Sequence, residues 1–91
     1  MTPPLSDAEL DEIEARARAA TPGPWTSFVE GRDHQSGSDF IMTGPDTNRG
    51  EDIELLGATA ADQDFIAASR QDVPRLVAEI RRLRKQLGGS N

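Results

Sequence analysis

The chain is 91 residues long, has no cysteine, and carries 16 acidic against 10 basic side chains, a net charge of −6. Without cysteine, neither a disulfide framework nor a thiolate metal site can supplement a small core. A net acidic chain is a poor general ligand for nucleic acid, which needs its phosphates neutralised, and no apolar run here is long enough for a membrane span.

The start, MTPPLSDAEL, has neither a basic n-region nor an apolar h-region, so a soluble cytoplasmic protein is expected. A single small domain over 1–91 fits this length, with loose tails at 1–4 and 88–91. Ser6 and Glu9 have capping-box spacing, and Leu5 and Leu10 are placed for a hydrophobic staple. Leu10, Ile13, Ala17 and Ala20 then repeat along one face. These signals predict a first helix over Asp7–Ala20, with acids in its early turns and Arg16 and Arg18 later, as the helix dipole favours.

Thr21-Pro22-Gly23-Pro24 ends that helix and turns the chain back. Trp25 follows as the first large apolar group and is read as a core anchor rather than a ligand-stacking aromatic. Three short strands are predicted: Trp25–Val29, Asp39–Thr43 and Asp52–Leu56. The turn-rich loops 31–38 and 44–50 join them, which suggests an antiparallel meander. Both loops are longer than tight hairpins need and are expected to be loose.

Thr59, with Asp62 three residues on, can cap a further helix. Phe65 and Ile66 are expected on its inner side, joining Trp25 in the core. Pro74 cannot donate a helical hydrogen bond, so this helix is expected to stop near Arg70 and a third to begin at Asp72. In that third helix Val73, Leu76, Val77, Ile80, Leu83 and Leu87 form an apolar stripe. Arg81, Arg82, Arg84 and Lys85 crowd its end, where cations suit the dipole. The expected fold is α+β: an N-terminal helix, a three-stranded antiparallel sheet and two C-terminal helices.

Two segments together carry a family resemblance. One is Ala19-Ala20-Thr21-Pro22-Gly23-Pro24-Trp25. The other is Ala61-Asp62-Gln63-Asp64-Phe65-Ile66-Ala67-Ala68, followed by a leucine-spaced helix. The chain resembles the Ead-type small proteins of phages and prophages and their actinobacterial relatives. These share an A-T-P-G-P-W corner, a variable β-like middle, a D/N-x-x-F-I-A-A helix and a C-terminal helical segment. The middle third of the chain is unmatched. Arg70-Gln71-Asp72-Val73-Pro74 stands where many relatives have a shorter Asn-Pro break. The resemblance implies a phage-associated accessory protein and transfers no catalytic residue.

Catalytic chemistry finds little support. His34 is the only histidine and sits beside Asp33 in a turn, so a solvated loop residue is expected and no metal site. No serine has a His–acid partner set, and no phosphate-binding glycine loop is present. No cofactor is expected. The preferred reading is a non-enzymatic protein that binds other proteins and forms a homodimer through the Val73–Leu87 stripe, with an unknown host or phage protein as a further partner. One alternative is a nucleic-acid-associated regulator using Arg81, Arg82, Arg84 and Lys85, although acidity disfavours it. Another is a small-ligand binder using the loops 31–38 and 44–50.

Overall fold

The computed structural model describes residues Pro4 to Gly88. The tails expected at 1–4 and 88–91 lie, apart from Pro4 and Gly88, outside the described residues. Two helices and three strands follow in the order α1 (Asp7–Ala19), β1 (Trp25–Phe28), β2 (Phe40–Thr43), β3 (Ile53–Glu54) and α2 (Ala60–Leu87). The class is α+β, with the strands in sheet order β1-β2-β3 and every pairing antiparallel. The chain groups into two compact units. Met1–Ala20 with Asp72–Asn91 forms the helical unit, and Thr21–Gln71 forms the sheet unit.

In the helical unit the capping box forms as its spacing suggests. The Ser6 hydroxyl oxygen accepts from the Glu9 N–H at 3.0 Å, and the Glu9 carboxylate accepts from the Ser6 N–H at 2.8 Å. Two orphan donors of the first turn are thereby satisfied. Leu10 of α1 and Val77 of α2 are the buried aliphatics of this unit. The Arg81 guanidinium reaches Asp11 at 2.8 Å and Glu14 at 3.4 Å, and Arg84 reaches Asp7 at 3.0 Å. Residue numbers rise along α1 as they fall along α2, so the two helices run antiparallel.

In the sheet unit β1 pairs with β2 from Trp25↔Thr43 to Phe28↔Phe40, and β2 pairs with β3 at Phe40↔Glu54 and Ile41↔Ile53. Side chains alternate across a strand. Ser27, Ile41 and Thr43 therefore share one face, and Phe28, Phe40 and Met42 the other. Ile41 and Thr43 are fully buried, together with Gln63 and Ala67 from the first turns of α2. On the opposite face Phe28 stacks on Phe40 with centroids 5.3 Å apart, and the His34 ring meets both edge-on. His34 is thus half-buried against aromatics rather than a solvated loop residue.

The loop from Gly44 to Gly50 is tied rather than loose. The Asn48 N–H donates to the Pro45 carbonyl and the Gly50 N–H to the Thr43 carbonyl, each at 2.9 Å. A Cβ on Gly50 would come within 2.7 Å of the Thr43 hydroxyl oxygen, so this approach requires glycine.

The C-terminal half departs from expectation. The two helices expected on either side of Pro74 are one helix of 28 residues, with Pro74 inside it. Thr59 and Asp62 form the reciprocal cap at its start, with hydrogen bonds of 3.0 and 3.1 Å. An interior proline costs about 3 kcal/mol, because the carbonyl four residues back loses its donor. Each flank of Pro74 is anchored in its own unit, which offsets that cost. Gln63, Ala67, Arg70 and Gln71 hold the upstream turns, and Val77 and Ile80 the downstream ones.

Candidate interaction surfaces

The sheet unit is held to its helical segment by polar side chains. Gln63 Nε2 lies 2.9 Å from the Ser27 hydroxyl and 3.0 Å from the carbonyls of Phe28 and Phe40. One side-chain amide thus serves acceptors from two strands in a site closed to water. Such groups are costly to leave unmatched when buried. The neighbouring Asp64 takes a bidentate contact from Arg32 at 2.8 and 2.9 Å, and Arg32 also holds Asp33. Hydrogen bonds from Arg32, then from Ser27, bring the Asp64 carboxyl down to about 2. Asp33 is lowered as well, chiefly by Arg32 and then by the Val29 N–H.

The Pro-Gly corner is fastened to the same helical segment. Arg70 Nε donates to the Thr21 carbonyl at 2.9 Å, and the Trp25 indole N–H donates to that same oxygen at 3.0 Å. The Gln71 amide oxygen accepts from the Trp25 N–H at 2.8 Å, and its nitrogen donates to the Trp25 carbonyl at 3.2 Å. Gly44 donates to the Pro24 carbonyl, so Trp25 directs its own backbone groups away from β2, to the outer edge of β1. Gln71 therefore occupies the edge position that another strand's peptide group would take. Trp25, expected as a core anchor, is half-buried at this corner.

Phe65 and Ile66 are not core residues. Phe65 is 75% exposed and Ile66 37%, because the inward positions of this turn belong to Gln63 and Ala67. A polar residue holds the core side since the strand carbonyls there need a donor. Phe65 and Ile66 instead line a depression of about 360 Å³ with Leu56, Gly57, Ala58 and Asp62. Leu56, a residue the sequence did not single out, is 99% exposed.

The single apolar stripe expected over Val73–Leu87 divides in two. Val77 is buried and Val73 and Ile80 are half-buried, so these three serve the helical unit itself. Leu76, Leu83 and Leu87 remain 59, 42 and 88% exposed. The reason is the helical repeat. Residues 73, 77, 80 and 84 stay within a narrow arc at 100° per residue, whereas 76, 83 and 87 fall on the adjoining arc. Leu76 also lines a groove of about 520 Å³ with Asp72, Arg75 and Glu79.

Three of the four clustered cations are committed to carboxylates of this chain. Arg81 pairs with Asp11 and Glu14, Arg84 with Asp7, and Arg82 with Glu79 at 2.6 Å. Arg84 also donates to the Leu5 carbonyl. Arg82 holds Glu79 below the ordinary carboxylate range, and Asp11 raises Arg81. Lys85 carries no ion pair among the described residues.

The loop 44–50, with Thr21 and Pro22, lines a cavity of about 190 Å³. That is below the usual range of small-molecule sites, roughly 300–1,000 Å³. Among the described residues no cluster of three or more His, Cys, Asp or Glu side chains is placed to hold a metal, and no helix is long and apolar enough to cross a membrane. Comparison of the chain with protein-family models, with curated proteins and with solved structures finds no match.

Proposed function

We propose that this protein is a non-enzymatic binding protein that self-associates through the outer arc of α2, at Leu76, Leu83 and Leu87. The observation that carries this reading is the exposure of those three leucines beside a separate, buried set that already serves the helical unit. Exposed large aliphatics in a row mark an interaction surface more often than an accident of folding.

An antiparallel pair with its two-fold axis between Glu79 and Ile80 sets Leu76 against Leu83 of the second copy. Each large aliphatic side chain buried contributes about 1.5–3 kcal/mol, and together these set the gain against the roughly 4–15 kcal/mol that association costs.

The phage-accessory setting rests on the resemblance at Thr21-Pro22-Gly23-Pro24-Trp25 and Asp62–Ala68. The ion pairs of Arg81, Arg82 and Arg84 weigh against a nucleic-acid role, since those cations already have partners. Light scattering across micromolar concentrations tests self-association: the mass of two chains is expected, falling to one in Leu83→Asp. A single-chain mass in the unaltered protein rejects the reading. An unchanged dimer in Leu83→Asp rejects the interface.

A further inference from the structure

We infer that the exposed apolar patch of the sheet unit, formed by Leu56, Phe65 and Ile66, docks a basic amphipathic peptide segment of another protein. The inference does not depend on self-association through Leu76, Leu83 and Leu87.

The patch is built from two neighbouring elements. Leu56 follows β3 just before the turn at Gly57, whose φ is +80°. Phe65 and Ile66 lie in the early turns of α2, and all three line one depression. Leu56 is almost wholly in water and Phe65 three-quarters so. Burying side chains of this size removes much apolar surface from water, so the pair forms a ready anchor site for an apolar group.

Charge selects the partner. Thr21–Gln71 contains nine Asp and Glu against three Arg, whereas the rest of the chain contains seven of each sign. The whole net charge of −6 therefore belongs to the sheet unit. Arg32 is occupied by Asp33 and Asp64, Arg49 by Asp52, and Arg70 by the Thr21 carbonyl. Asp62 lines the depression itself, and the exposed Glu54 stands two residues before Leu56; neither carries an ion pair among the described residues. An apolar anchor flanked by Lys or Arg satisfies both features, and an acidic ligand meets repulsion.

The test uses the full chain and two synthetic helical peptides with one leucine pattern, their polar positions filled by Lys in one and by Glu in the other. Amide chemical shifts are followed during titration. The Lys peptide is expected to move the signals of Leu56, Asp62, Phe65 and Ile66 saturably, and the Glu peptide to leave them unmoved. Phe65→Ser with Leu56→Ser should weaken binding at least tenfold, and Glu54→Gln by a few-fold, with the remaining spectrum unchanged because these side chains are exposed. Equal binding of both peptides overturns the inference, as do shifts centred elsewhere or no binding at millimolar peptide. Concentration-dependent shifts at the patch without peptide overturn it too, since a second copy would then be the occupant.

Discussion

The helical unit and the sheet unit solve the same problem by opposite means. In the first, Leu10 and Val77 are buried with no buried polar side chain among the described residues, and the polar contacts between α1 and α2 are exposed ion pairs. In the second, Gln63 and Thr43 are buried with Ile41 and Ala67, and the polar contacts reach inside. The cause lies in the backbone. A helix satisfies its own peptide groups, so two helices need only apolar side chains between them. Strands of four, four and two residues leave carbonyls and amides unmatched at their ends and edges. Gln63 and Gln71 supply the missing partners. A small sheet can thus be completed by helix-borne amides in place of further strands.

Substitutions that exchange the character of the two units test this contrast. The largest effect is expected from Leu10→Ala, which opens a cavity where no polar group compensates. About 2–5 kcal/mol should be lost, read from the urea midpoint. Next comes Gln63→Ala. It leaves the Phe28 and Phe40 carbonyls without this donor, and a loss of about 1–3 kcal/mol is expected. A Gln63→Leu protein as stable as the original would remove the distinction between the units.

Acid should act on the sheet unit through Asp64. Its carboxyl sits at about 2 when folded, against an ordinary value of 3.8. A lowered carboxyl contributes stability that is present above about pH 4 and lost as pH falls toward 2. Asp64→Asn should therefore be less stable at neutral pH, and its stability should fall less steeply across that acid window. Parallel pH–stability curves for the two proteins would count against the Arg32–Asp64 pair. The smallest effect belongs to Arg81→Ala in the helical unit, whose exposed contacts are screened by water and salt. A slight loss is expected at low ionic strength and none at 1 M salt.

Much of the local framework was legible because its signals are local. Ser6 with Glu9, Thr59 with Asp62, and the Pro-Gly corner each act within a few residues, and each does what its spacing suggests. The strands appear in the expected order but shorter, Val29, Asp39, Asp52, Leu55 and Leu56 lying outside them. What was not legible depends on distant partners. Pro74 lies inside one helix because both flanks are anchored elsewhere. Gln63 replaces Phe65 inside because strand carbonyls 23 and 35 residues away need a donor. Hydropathy ranks Phe65 as core and Gln63 as surface, and only the register of the strands reverses that order. Of the six residues expected to form one interface stripe, Leu76, Leu83 and Leu87 are exposed, while Val73, Val77 and Ile80 are taken up by the helical unit.

The Gln71 amide on Trp25 has a consequence for crowded solutions. Flat, open strand margins are where unrelated chains recruit one another into fibrils. Here that margin begins with a side chain already seated on it, and the strand behind it is only four residues long. A protein so terminated can accumulate to high levels without seeding cross-β deposits from that side.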